Sequence, residues 1–199
     1  MKRIFLLLLS VLLLCSLFSC KGDDTDAPEV TPTNYVKFTM ADGATFVVEL
    51  YPEYAPKTVK NFQDLVADGF YDGLTFHRIR KNFMIQGGAN AKLSLDPIEG
   101  EFAANGFTQN TLKHERGVIS MARSNSPNSA TSQFFIMHAD NTGLDGNYAA
   151  FGRVIEGMDT IDALANTPVT YNWSMQGEMS APLEQPVIQS AVFIDYTAE

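Results

Sequence analysis

The chain changes hydrophobic rhythm several times. From Ile4 to Phe18 apolar residues run almost unbroken behind Lys2 and Arg3. Residues 21–34 then read KGDDTDAPEVTPTN, polar, acidic and punctuated by proline. From Tyr35 the pattern alternates: Tyr35–Met40 and Ala44–Tyr51, the latter with Phe46, Val48 and Leu50 at period two, flank the turn Ala41-Asp42-Gly43. This spacing predicts a two-stranded hairpin with one face turned to a core. Val59, Phe62, Leu65 and Val66 next fall on one face at helical spacing, with Pro56 at the start and Gly69 just past the end, and predict a helix over 56–67. Short strand-like runs follow at 74–79, 83–86, 118–122, 133–137 and 150–155. Met158, Ile161 and Leu164 mark a second helix over 158–165, and 187–196 supplies a closing strand. The segments 90–113 and 166–185, long and rich in Gly, Asn and Pro, read as surface loops. Eight short strands, two helices and no strand–helix–strand alternation predict a mainly β fold. Its expected form is a closed eight-stranded antiparallel β-barrel capped by the two α-helices, because closure removes exposed strand edges.

The same rhythm divides the chain into three parts. Residues 1–19 have the basic start and apolar middle of a secretory signal, and are too short and wrongly flanked for a membrane span of about 20 apolar residues. Leu17-Phe18-Ser19-Cys20 resembles the lipobox of bacterial lipoproteins, in which a small residue precedes a cysteine that becomes lipidated and N-terminal. That resemblance implies an anchor at Cys20, a flexible acidic tether over 20–34, and a globular domain over 35–199 held on the periplasmic or outer-surface face of the cell envelope. Cys15 follows Leu14 and departs with the signal, so no internal disulfide and no cysteine nucleophile is expected. The whole chain has 14 basic and 23 acidic residues; losing Lys2 and Arg3 moves the net charge from −9 to −11. Such an acidic body argues against nucleic acid as a partner, since phosphate binding needs clustered Lys and Arg. No surface helix suggests obligatory pairing, so a monomer is expected.

Hydrolytic and metal motifs are missing from the sequence: no GxSxG elbow, no HExxH, no zinc-type Cys/His spacing, no glycine-rich phosphate cradle. The three histidines, His77, His114 and His138, are scattered, and the last two read as loop or strand-end residues. No metal and no cofactor is expected. What stands out are four ordered blocks: Phe76-His77-Arg78-Ile79, then Phe83-Met84-Ile85-Gln86-Gly87-Gly88, then Ser120-Met121-Ala122-Arg123, then Ser132-Gln133-Phe134-Phe135-Ile136. Together they resemble the cyclophilin family of peptidyl-prolyl cis-trans isomerases. The likeness continues through Leu144-Asp145-Gly146 and Phe151-Gly152-Arg153-Val154 to Gly157-Met158, and spans essentially all of Tyr35 to Tyr196.

The resemblance implies an isomerase acting on X-Pro bonds in other polypeptides. It casts Arg78 as the donor to the prolyl nitrogen, Gln86 as the group that steadies it, and Phe83 as part of the catalytic pocket. It gives Met84, Phe135 and Leu144, with Phe83, the floor and walls of the proline pocket, sets Ala122 beside it, pairs the backbone at Arg123 with the peptide, and brings Gln133 to the substrate backbone. Tyr148 stands where many relatives have histidine. Residue chemistry agrees: Arg78, Gln86 and Gln133 interrupt apolar strands, where unpaired burial is costly, so a shared cleft accounts for them. His77 adjoins Arg78, but strand alternation is expected to turn it to the other face. One departure is Gly143, where relatives often carry an aromatic residue; it argues against tight binding of cyclosporin A and softens one wall. With the tether, it motivates the alternative reading of a proline-directed binding or scaffolding module with weak or no catalysis.

Overall fold

The structure is a computed structural model that describes residues 33–197. The signal segment, Cys20 and nearly all of the tether lie outside the described residues. Alternating apolar residues build β1 (Tyr35–Met40) and β2 (Thr45–Leu50), joined by a tight turn in which Asp42 Oδ1 accepts the Ala44 N–H at 3.0 Å. Helix α1 (Pro56–Ala67) starts with proline at its first turn and buries Val59, Phe62, Leu65 and Val66. The chain then forms β3 (Phe76–Arg80), β4 (Met84–Gly87), β5 (Val118–Met121), β6 (Phe134–Met137) and β7 (Ala150–Glu156). Helix α2 (Met158–Ala165) follows, then β8 (Val169–Asn172), β9 (Glu178–Pro182) and β10 (Ile188–Phe193). Among the described residues no helix is long and apolar enough to cross a membrane.

Eight strands form one antiparallel sheet in the order β10-β1-β2-β7-β5-β6-β4-β3. Period-two alternation gives that sheet two unlike faces. Along β6, Phe134 and Ile136 enter the main core while Phe135 and Met137 join a second, smaller apolar cluster. Strand β4 splits in the same way, with Ile85 in the core and Met84 in the smaller cluster. The main core is aromatic: Phe62 of α1 packs against Phe38, Tyr71, Phe134 and Phe151 at centroid distances of 5.1 to 6.4 Å. Gly88, at φ +79°, lets the backbone lie where a Cβ would meet the Ser132 carbonyl at 2.8 Å.

Three expectations are corrected. The sheet is open and curls into a half-barrel, not a closed barrel. Between its ends, among the described residues, lie the isolated bridge Thr75↔Val187 and a few backbone hydrogen bonds in place of a strand ladder: Gly73 N–H and Phe76 N–H donate to the Ile188 and Pro186 carbonyls, and Ile188 N–H donates to the Leu74 carbonyl. Pro186 brings no N–H to extend the ladder, and β9 packs against β3 instead. Second, residues 166–185 are not a loop throughout: they hold the β8–β9 ribbon, turned by Gln176 at φ 57° and Gly177 at φ 79°. Third, the segment 90–113 contains an interior anchor. Glu101, fully buried, accepts the Lys57 and Thr58 N–H groups at 3.0 and 2.7 Å and the Thr58 hydroxyl at 2.7 Å, and so caps α1, which has no side-chain cap of its own.

Candidate active site

Sheet register assembles the site before any side chain is considered. Arg78 pairs with Gln86 across β3 and β4, Gln86 with Phe135 across β4 and β6, and Phe135 with Ser120 across β6 and β5. These four residues form one row on the face of the sheet away from the main core. Around the row lies a cavity of about 380 Å³ lined by Arg78, Phe83, Met84, Gln86, Ala122, Arg123, Gln133, Phe135, Leu144 and Tyr148. All ten domain residues singled out from the sequence meet there. Cys20 lies outside the described residues. His77, Asn172, Ser174 and Met175 complete the lining, and sequence reasoning placed none of them in the site.

The apolar half of the cleft is the smaller cluster. Met84, Phe135 and Met137 are buried, with Phe83, Ala122, Leu144 and Tyr148 packed against them. Tyr148 stands edge-on to Phe135 at 5.7 Å, and the Arg123 guanidinium lies 4.7 Å above the Tyr148 ring and 5.0 Å from that of Phe102. The Arg123 side chain also donates to the Asn147 and Ser124 carbonyls, so it closes the gap between two rings as a fixed wall. Gly143 is the central residue of the short turn Thr142–Leu144, its N–H held by Asn141 Oδ1 at 3.0 Å.

A polar chain crosses the other half. Arg78 Nε and Nη2 donate to the two carboxylate oxygens of Glu178 at 2.8 and 3.0 Å, and Nη1 donates to Gln86 Oε1 at 3.2 Å. Gln86 Nε2 donates on to Gln133 Oε1 at 3.0 Å. Arginine only donates, so Gln86 must turn its oxygen to Arg78 and its amide N–H to Gln133; the Gln133 NH₂ is thereby left to face outward. The Arg78 hydrogen bonds, against a smaller opposing effect of burial, hold the Glu178 carboxyl below the usual carboxylate range.

His77 is also corrected. A register shift between Phe76 and Arg78 inserts it as a bulge, so alternation fails locally and it sits half-buried in the cavity wall beside Arg78. Burial, and then the Arg78 charge, push its pKa down. His114 does lie in a loop, ahead of β5, but it is packed into the interior. It is buried, stacked on Phe135 at 6.0 Å, with Nδ1 3.1 Å from Asp145 Oδ1 and Nε2 3.0 Å from the Ser120 hydroxyl. Burial tends to raise the Asp145 carboxyl, but the His114 and Lys113 hydrogen bonds overcome this and hold it low. An ionised carboxylate only accepts, so Nδ1 carries the proton and Nε2 accepts from Ser120. Ser120 is fully buried, so this Asp–His–Ser chain braces the layer beneath Phe135 instead of presenting a nucleophile. Among the described residues there is no group of three or more His, Cys, Asp or Glu able to hold a metal ion.

The chain is similar to known proteins of one family. The family model described as cyclophilin type peptidyl-prolyl cis-trans isomerase/CLD matches residues 35–192. The chain is 47% identical over 133 residues to a peptidyl-prolyl cis-trans isomerase of Acinetobacter baylyi, covering 62% of this chain and 68% of that one. It is 40% identical over 158 residues to one from Streptomyces antibioticus, covering 73% of this chain and 90% of the other. A crystal structure of a Cryptosporidium parvum cyclophilin-type isomerase, solved in the presence of the dipeptide Ala-Pro, superposes with a TM-score of 0.68 at 29% identity, covering 81% of this chain and 99% of that one.

Proposed function

The chain belongs to the cyclophilin-type peptidyl-prolyl cis-trans isomerases and is an isomerase of that class; from this premise we propose that Arg78 speeds X-Pro rotation by donating a hydrogen bond to the prolyl nitrogen. Rotation about the amide must overcome about 18–20 kcal/mol because the C–N bond has partial double-bond character. In the planar ground state the nitrogen lone pair is delocalised into the carbonyl. As the bond twists, the pair localises and becomes a hydrogen-bond acceptor. A donor aimed at that nitrogen therefore stabilises the twisted state more than either planar isomer. Shortening tens of seconds to milliseconds, roughly 10⁴-fold, takes about 5.5 kcal/mol of such preference.

The observation that carries this reading is a charged donor held still beside an apolar hollow. A guanidinium is a permanently charged donor. Three of its five N–H groups are engaged by Glu178 and Gln86, which leaves one on each terminal nitrogen for a peptide. Phe83, Met84, Phe135 and Leu144 offer the proline ring an apolar seat, and the outward Gln133 NH₂ suits a peptide carbonyl. The clients are exported or envelope proteins, and the domain is lipid-anchored at Cys20; the lipobox-like Leu17-Phe18-Ser19-Cys20 and the apolar run before it support this.

The test is exchange spectroscopy by NMR, with a protease-coupled assay, on a short X-Pro peptide. Arg78→Ala is expected to lose at least a hundredfold in catalysed exchange while retaining peptide binding. An Arg78→Ala protein as fast as the parent would overturn the mechanism. Binding by the parent without enhanced exchange would instead favour a proline-directed binding module, for which the side-chain gap at Gly143 is the supporting feature.

A further inference from the structure

We infer that Glu178, on the β8–β9 ribbon, is a positioning residue of the isomerase centre: it fixes which edge of the Arg78 guanidinium faces the bound peptide. The inference rests on the reading of Arg78 as the donor to the prolyl nitrogen. Glu178 grips the side edge of the guanidinium, Nε and Nη2, with both carboxylate oxygens, a fork-to-fork contact. That leaves the terminal Nη1/Nη2 edge as the one with free hydrogens. Without Glu178 the one remaining tie among the described residues is the 3.2 Å bond from Nη1 to Gln86, which does not stop the plane from swinging about it.

The grip is built in. The Arg78 and Glu178 side chains are 16% and 20% exposed, so water and salt screen the pair less than they would on an open surface. Glu178 Oε2 also accepts from Arg80 at 3.2 Å, and Arg80 lies 5.5 Å over the Phe83 ring, so one carboxylate ties the donor to a wall of the apolar pocket. Its position is set by packing: Ser180 and Pro182 of β9 are buried, β9 lies against β3, and the turn before it is closed by the Gly177 N–H donating to the Asn172 carbonyl at 3.0 Å. The same ribbon and its turn add Asn172, Ser174 and Met175 to the cleft lining. A carboxylate so close could instead compete with substrate for Arg78. The occupied edge argues otherwise, because Glu178 takes the side of the fork and leaves its end open.

The test uses full-length protein in detergent, with Glu178→Gln, Arg78→Ala and the double variant. Glu178→Gln keeps the shape but loses the charge and one acceptor oxygen. It is expected to lower kcat roughly ten- to a hundredfold while KM moves less than about twofold, since about 1 Å of misplacement can cost that much. In the Arg78→Ala background the same change is expected to have no further effect, because both act through one group. The ¹⁵N-labelled Arg78 Nε–H signal is expected to exchange slowly with water in the parent and to broaden in Glu178→Gln. Parental or faster kcat in Glu178→Gln, an equal slowing with Arg78 absent, or an unchanged Nε–H signal would each overturn the inference. Failure of the Arg78 mechanism itself reads differently, as an Arg78→Ala protein that keeps full activity.

Discussion

His114 takes a proton less readily folded than unfolded. Burial lowers its pKa, and the Asp145 contact only partly opposes this. His77 and His138 shift the same way, each chiefly through burial. An unfolded histidine titrates near about pH 6.5. Below that pH the unfolded chain binds protons the folded one refuses, so stability falls as pH drops from about 6.5 toward the folded-state values, and levels off beneath them. The urea midpoint is therefore expected to fall between pH 7.5 and 5.5, and His114→Gln to make that fall shallower whatever it does to stability at pH 7.5. An identical slope in parent and variant would show that His114 is not a source of the dependence. The same buried ring supports Phe135, so residue-scale acid sensitivity sits directly beneath the apolar pocket.

Helix α1 shows how an element can depend on a residue far along the chain. Its first N–H groups have no partner within the helix, and Ala55 supplies no side-chain cap. Glu101 supplies the acceptor from 43 residues away, and its negative charge lies at the positive end of the helix dipole. Asn110 locks the same loop by donating to the Glu101 and Ala150 carbonyls, both at 2.9 Å. Glu101→Ala removes three accepted hydrogen bonds from a buried place and is expected to cost about 2–4 kcal/mol in urea unfolding, with Glu101→Gln milder. A loss below about 1 kcal/mol for the alanine variant would mean that water replaces the cap. The β8–β9 ribbon is the second such element. Two strands alone are marginal, and this pair persists because β9 packs on β3 and carries the carboxylate that holds Arg78 and Arg80.

At the scale of the whole molecule, the half-barrel spends one face of its sheet on an aromatic core and the other on the cleft, so the site rests on strands whose positions are set by the core. Cells making the parent are expected to hold it in the membrane fraction with label from palmitate, and Cys20→Ala is expected to remove the label and release the chain; unlabelled parent protein would sink the anchor. The eight strands of the sheet and both helices could be read from the sequence because they follow from local period: Phe135 and Met137 against Phe134 and Ile136, or Val59, Phe62 and Val66 on one helical face, declare their sides within a few residues, whereas the expected membership of the cleft came from the resemblance of the four sequence blocks to a known family. Tertiary structure decided the rest. The bulge that brings His77 to the cleft, the open seam between β3 and β10, the cap from Glu101 and the Glu178 grip on Arg78, 100 residues apart, all depend on which distant segments meet. Alternation along one strand carries no information about what packs across it, and a lone Glu in a polar stretch looks the same whether it faces water or an arginine.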